Sequence, residues 1–451
     1  MDQNTLKIQL QKAGVEYLLV QFVDLNGSAK VKMVPRDMLD VVADTGAGFA
    51  GGAVWGMGQN AADHDMMARI DLASYTPAPW APGLARFAAD LYVDNQPFAY
   101  CPRVHLKRAL AELRAAGYVF NVGVEPEHFL VTRTAEGTIV PWDPAHVDTL
   151  VKPCYDFKGL SAAYDYLRDL SEALQKLGWG VYQADHEDAN GQYEINFRYA
   201  DALTTADRFI FFKMLAHETA RKYGATVTFM PKPFADRTGS GAHLHYHLAD
   251  AETGRNLFAA DHDARGLGLS ELAYHFLGGV LAHARALCAV TSPTVNCYKR
   301  LQVGAGLTGP RSGFTWTPAF ITYGDNNRTQ MIRTPGPGHV EDRTVSSAFN
   351  PYLAFAAYSA AGLDGIRRGL DPGEPNRENA YALGLEEMAR RKVRLLPQSL
   401  SEALDEFERD DVVRASLGPI AAEFLRLKRA EWQEYHRQVT DWEVERYLTL
   451  F

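Results

Sequence analysis

Cysteine is scarce in this sequence: Cys101, Cys154, Cys288 and Cys297 are the only four in 451 residues, and no two stand in C-x-x-C spacing. That excludes a disulfide-stapled scaffold and a thiolate zinc centre, and it fits buried thiols in a reducing compartment. Long hydrophobic runs are also missing. The most apolar stretch, LAYHFLGGVLAHARALCAV, is interrupted by His275, His283 and Arg285, so a core helix is expected there and not a membrane span. The opening MDQNTLKIQLQKAG has no apolar core of a signal peptide, and a cytoplasmic location is expected. Dense Lys/Arg tracts are absent as well, and the formal net charge is −9. Neither nucleic acid nor an anionic membrane is therefore an expected partner. There is no G-K-[ST] to make a P-loop and no H-E-x-x-H to make a zincin.

Glycine, in contrast, is plentiful. In TGAGFAGGAVWGMG, Gly46, Gly48 and Gly51 match G-x-G-x-x-G. A dinucleotide cradle needs a strand before these glycines and a helix after them. PRDMLDVVADTG reads instead as a short helix stopped by Gly46, and AVWGMGQNAADHD has too many turn formers to open a long helix. The match is not a nucleotide site, and the loop needs another explanation.

Alternating patterns place short β segments in residues 1–100, including a hairpin turned at Asn26-Gly27. A larger unit is expected over 101–451. It begins with a helix opened by Pro102 and closed by Gly117, followed by the strand YVFNVGVEPEHFLVTR. TTADRFIFFKMLAHETARKYG reads as a helix with Thr204 as N-cap, and SLSEALDEF carries a capping box at Ser399 and Glu402. Strands and helices alternate irregularly, which points to an α+β fold with antiparallel sheet.

Three strand-like segments gather titratable groups. Glu125 and Glu127 in GVEPEHFL share one strand face, as do His243, His245 and His247 in GSGAHLHYHL. In QADHEDANGQYEIN, a two-residue turn at Asn190-Gly191 would set Glu187 directly opposite Glu194. Carboxylates so placed repel unless a cation or proton lies between them. Acidic and imidazole ligands on strands suit Mg²⁺ or Mn²⁺. Basic residues come later in the chain: Arg300 in YKRL, Arg328 and Arg333 in NNRTQMIR, and Arg343 beside Glu341 in HVEDR. Arg328 and Arg333 fall on opposite faces if they belong to one strand. Metal-binding carboxylates with convergent arginines form the composition of a phosphoryl-transfer site.

The segments GVEPEHFL, HEDANGQYEIN, FMPKPFADRTGSGAHLHYH, NCYKRL, NNRTQMIRTP, VEDR and NPYL resemble, in order and spacing, those of the glutamine synthetase superfamily. The resemblance implies a β-grasp N-terminal domain and a larger catalytic domain with a curved antiparallel sheet flanked by helices. It also implies hexameric rings, paired as a dodecamer, with active sites between subunits. Glutamate would be phosphorylated by ATP, and an amine would then capture the γ-glutamyl phosphate. Two to three Mg²⁺ or Mn²⁺ ions would serve each site. By the same resemblance Glu127, Glu187 and Glu194 would hold one cation, and Glu125, His243 and Glu341 the other. Gly239, Arg300, Arg328 and Arg343 would position glutamate and its phosphoryl group. Lys232, His245, Arg333 and His339 would lie on the ATP side.

The sequence departs from the family pattern where Phe49-Ala50-Gly51-Gly52-Ala53 replaces the usual Phe-Asp-Gly-Ser-Ser. The glycine loop is thus the amine-side loop, lacking the carboxylate that helps to bind ammonium. A methyl group would meet Ala50 without a desolvated carboxylate beside it. Methylamine is the implied acceptor, as in the glutamate–methylamine ligase branch of the superfamily. Ammonia (with Asp63 or Asp65 substituting), a polyamine or ethanolamine are the alternatives. Phe49, Ala50, Tyr155 and Glu187 would line the amine pocket. Thr238 stands where Asn is common, His247 where Ser is usual and His339 where Arg is usual. LQVGAGLTGPRSGFTW has no clear counterpart of the family's flap glutamate, whose task of shielding the intermediate and taking the amine's proton would fall to Glu187 or to another residue that the motifs do not identify.

Overall fold

The computed structural model describes residues 2–303 and 315–451. The segment 304–314, where the flap glutamate was sought, lies outside the described residues. Among those described, one mixed sheet has seven strands, with Ala29–Pro35, Tyr17–Val23, Leu84–Val93, Met66–Ile70 and Ala47–Phe49 as its main path. Tyr17–Val23 runs parallel to Leu84–Val93 and antiparallel to Ala29–Pro35. Its inward residues Leu18, Val20, Phe22, Phe87 and Leu91 form one core with Leu6 and Leu10 of the N-terminal helix Gln3–Lys12. The turn between the first two strands is longer than the expected two residues. Val23 pairs with Ala29, and Asp24 accepts from the backbone N–H of Asn26 and Ser28, closing a five-residue connection.

The glycine loop is explained here. A helix over Leu39–Asp44 ends before Gly46, whose φ of +97° suits glycine and where a Cβ would stand 2.9 Å from the Ala68 backbone. The chain then enters the short strand Ala47–Phe49, paired with Met66–Ile70, and not a helix. At Gly51 a Cβ would strike the Gln59 side chain. Glycine serves close packing.

The second sheet has ten strands, its main path running Val181–His186, Gln192–Phe197, Tyr118–Arg133, Ala242–Asp250, His339–Asp342, Ile332–Gly336, Tyr323–Gly324. All neighbours on this path are antiparallel except the last pair. The helix Ala202–Arg221 packs on the central strand; its N-cap is Asp201, accepting from Thr204 N–H, so the cap lies three residues earlier than expected. The apolar stretch at 272–290 forms two helices, Glu271–Ala282 and Ala284–Thr291, with His283 at the break. The helix Pro351–Arg368 lies against the first of these at glycine contacts, since a Cβ on Gly279 would fall 2.1 Å from the Ala361 carbonyl oxygen. Ser399 does cap its helix, while Glu402 reaches back to the N–H of Gln398.

The two sheets are joined through Arg103, which is buried. Its guanidinium donates to Asp71 and Asp90 at the first sheet and to both Asp207 oxygens on the helix Ala202–Arg221. Tyr352 donates to Asp207 as well. Among the described residues, no helix is long and apolar enough to cross a membrane.

Candidate active site

The carboxylates form a row across the second sheet because its registers align them. Glu194 stands opposite Asp185 on one side and opposite Glu127 on the other. Two residues along the central strand, Glu125 is opposite His243. His245 in turn is opposite Glu341, which is opposite Arg333. Glu187 does not pair with Glu194 as expected. Its N–H bonds to the Gln192 carbonyl, and Gln192 N–H closes on Ala189, so the turn is wider and the pairing moves two residues, to Asp185.

Two ligand sets emerge with all their donor atoms within 4.8 Å of one another: Glu125, His243 and Glu341, and Glu127, Glu194 and His243. Asp185, Glu187 and Glu194 form a third such set, and Cys154, Glu187 and Asp188 a fourth. The first reproduces an expected trio. In place of Glu127, Glu187 and Glu194 as one trio, Glu194 links two sets. His243 approaches Glu125 at 3.3 Å, Glu127 at 3.5 Å and Glu341 at 3.6 Å. His245 lies 2.9 Å from Glu125, and His339 packs on its ring at 5.6 Å between centroids. His247, farther along, meets Asn121 instead.

These groups differ in their affinity for protons, and position explains the difference. Burial pushes the Glu187 carboxyl well above the usual range, and Glu127, Asp188 and Asp185 push it further. Glu194 is raised likewise, by burial and then by Glu125, Glu187 and Glu127. Burial also raises Glu125, but hydrogen bonds from His243 and His245 outweigh it and hold the carboxyl well below the usual range. For Glu341 burial is overcome by Arg343, His243, His245 and Arg333, bringing it down to about 2. At one end of the row protein cations keep the carboxylates ionised, while at the other burial and crowding favour a bound proton.

These side chains border a cleft of about 590 Å³. Glu125, Glu127, Glu187, Glu194, His243, Gly239, Tyr155, Arg300, Arg328, Arg333 and Arg343 all line it. Arg300 and Arg343 are buried. Arg300 donates to the carbonyls of Thr344 and Arg343, and Arg343 donates to Glu341 at 2.8 Å, leaving its buried Nε without a partner. Arg333 is held by Glu341 and Asn326. Tyr155 keeps a left-handed backbone, φ +60°, and an exposed ring.

Other expected residues lie elsewhere. Lys232 is half-buried, its ammonium on the Arg237 carbonyl. Ala50 is exposed away from the cleft lining, and the Phe49 ring is buried against Phe22 at 4.8 Å. Of that pair, only Ala50 presents its side chain outward.

Sequence reasoning missed Asp185, Asp188, Cys154 and Gly241. Asp185 had a signal, since it shares the face of Glu187 at a spacing of two. Gly241 had none: a Cβ there would meet Arg300 Nη2 at 2.6 Å, His243 Nε2 at 2.8 Å and Glu127 Oε1 at 3.1 Å, contacts made between distant segments.

The chain's pattern matches that described as the glutamine synthetase catalytic domain over residues 99–447. The chain belongs to the glutamine synthetase family. Its relatives include a glutamate–methylamine ligase of Methyloversatilis universalis, 50% identical over 98% of each chain. A glutamine synthetase of Rhizobium meliloti is 41% identical over 96% of each. Among solved structures, one described as a GmaS/ADP complex superposes with a TM-score of 0.90 at 43% identity, covering 98% of this chain and 99% of that one. The two sheets and their helices are thus the glutamine synthetase fold, as the motifs implied.

Proposed function

We propose that this protein is an ATP-dependent ligase that joins methylamine to the γ-carboxyl of glutamate through γ-glutamyl phosphate, releasing ADP and phosphate. The observation that carries the reading is the row of carboxylates and imidazole beside buried arginines, in a chain that closely resembles a glutamate–methylamine ligase. The ADP in the similar GmaS structure supports the nucleotide.

The donor set fits divalent cations. It is almost all carboxylate oxygen with one imidazole, the preference of Mg²⁺ and Mn²⁺, and at its Glu187–Glu194 end burial and neighbouring carboxylates make each carboxyl hold a proton more tightly, a crowding that a bound cation would relieve. Glu127 and Glu194 would hold one ion, with Glu187 closing on it from the neighbouring set, and Glu125, His243 and Glu341 would hold another. Bound there, the ions would supply positive charge against that accumulating on the transferred phosphoryl group.

The remaining work belongs to the chain. Arg300, Arg328 and Arg343 hold the carboxylates of glutamate and its phosphoryl oxygens, for which a guanidinium fork is suited; the unpartnered Nε of Arg343 is one free donor. Gly239 and Gly241 keep that side open. Arg333, His245 and His339 would face the nucleotide, and Lys232 would join them on leaving the Arg237 carbonyl. Phosphorylation turns a poor electrophile into one with a good leaving group, and Glu187 accepts the proton that the attacking amine sheds. Tyr155 borders the amine. Ala50 approaches the site of a neighbouring copy, so residues 1–100 act as a unit that completes the adjacent active site within a hexameric ring, two rings making a dodecamer.

The test is ATP-dependent phosphate release with glutamate and either methylamine or ammonia. A higher kcat/KM for methylamine is expected. A higher value for ammonia refutes the acceptor, and release independent of any amine refutes the ligase.

A further inference from the structure

A second concave site lies away from the carboxylate row, where the turn Gly27–Ser28–Ala29 meets the middle of the helix Ala202–Arg221. This pocket, of about 270 Å³, is lined by Ser28, Lys213, His217, Met214 and Phe229, among others. Lys213 and His217 are four apart on the helix and share its face. Among the described residues, the lining includes no acidic side chain.

Lys213 is the anomaly. Its ammonium sits over the ring of Phe209, 4.4 Å from the centroid, and 5.6 Å from that of Phe229. Lysine heads normally reach water or a carboxylate, and this half-buried one has no ion pair or hydrogen bond with the described residues, which leaves water at the pocket mouth as its partner. Burial alone draws its pKa down to about 7. Aromatic faces attract a cation weakly and leave its N–H groups without acceptors. The Ser28 hydroxyl, which accepts from Lys30 at 3.1 Å, still has its own proton to donate into the same space.

We infer that this pocket binds a small soluble anion, a carboxylate or phosphate, with Lys213 as its counter-charge and Ser28 and His217 as further donors. The volume admits a molecule of a few heavy atoms beyond the anionic group, and the missing acidic lining makes the pocket selective by sign. None of these residues touches the cleft that holds the carboxylate row. The site therefore reports on the junction between the first sheet's hairpin and the second sheet's helix.

The test reads Lys213 itself. Native protein is labelled at pH 7 with acetic anhydride, with and without inorganic phosphate or glutarate, and each lysine is followed by peptide mass spectrometry. Lys213 should label faster than exposed lysines such as Lys12, because more of it is the free amine. At an anion concentration about ten times Kd its labelling should fall about tenfold while Lys12 is unchanged. The variant Lys213→Met should lose saturable anion stabilisation of melting at this site, with glutamate and ADP present throughout to fill the other cleft. Labelling of Lys213 that neither anion slows overturns the proposal. So does a Lys213 that is inert in the assembled protein and reactive only after dissociation, which would assign the counter-charge to a carboxylate of a second copy.

Discussion

Substituting Glu194 separates two consequences of the carboxylate row that a neutral surface glutamate would not show. Its donor oxygens lie within 4.8 Å of those of Glu127, directly across the ladder. At that distance and an effective dielectric of about 20, two negative charges repel by about 3 kcal/mol. The cation-free protein bears that strain, either directly or as a carboxyl held protonated, so Glu194→Gln should raise its melting temperature. For 451 residues the unfolding entropy is about 0.95 kcal/mol per degree, which makes the gain at most about 3 °C. A cation at about 100 times its Kd stabilises the native state by about 2.7 kcal/mol, or about 3 °C per ion and about 6 °C for two. Wild-type protein should therefore start lower in EDTA and gain more in Mg²⁺ or Mn²⁺, while the variant starts higher and gains half as much or less. Scanning fluorimetry at fixed protein concentration reads both. A variant that melts below wild type in EDTA yet keeps the whole cation shift would refute the idea that these carboxylates share an ion.

Ala50→Asp should move the ratio of kcat/KM for ammonia over methylamine upward by about 10- to 100-fold, as expected for restoring a carboxylate beside a desolvated cation; competition kinetics with the two amines checks it. Arg103→Met strips both charge-assisted bonds from buried Asp207 and should cost about 3–5 kcal/mol, read by urea denaturation. His283 bridges Asp410 at 2.7 Å and Asp364 at 3.1 Å; burial lowers its pKa, but the two carboxylates outweigh burial and raise it. A histidine with a folded pKa above its unfolded value contributes stability that is complete below about pH 6.5 and is lost as pH rises through the folded value. Stability measured from pH 6 upward should therefore decline more steeply in wild type than in His283→Gln.

Local pattern carried the sequence a long way. Strand alternation in YVFNVGVEPEHFLVTR placed Glu125 and Glu127 on one face, and the strand is there at Tyr118–Arg133. Helix boundaries were legible where a side chain caps them, as at Ser399, and slipped where a better cap lay nearby, as Asp201 does before Thr204. What the chain could not announce is contact between distant segments. The vacancy required at Gly241 is set by Arg300, His243 and Glu127, and only the folded sheet brings those three together.

The hairpin at 181–197 shows how an error of register can leave a site's chemistry intact. Asn190-Gly191 invites a two-residue turn, but Glu187 N–H and Gln192 N–H close a wider one, with Gly191 at φ +82°. The slip is two residues. A slip of one would have turned Glu187 to the opposite face and dismantled the row, whereas a slip of two preserves the face of every side chain. Its effect is to replace Glu187 by Asp185 opposite Glu194, while Glu187 stays in reach of both through the turn. The row thereby gains a carboxylate and loses none. The alternation of acids in ADHEDAN is thus what makes the site tolerant of the turn's geometry, and Asp185→Asn should weaken cation-dependent stabilisation in the Glu187–Glu194 set while leaving that of Glu125, His243 and Glu341 in place.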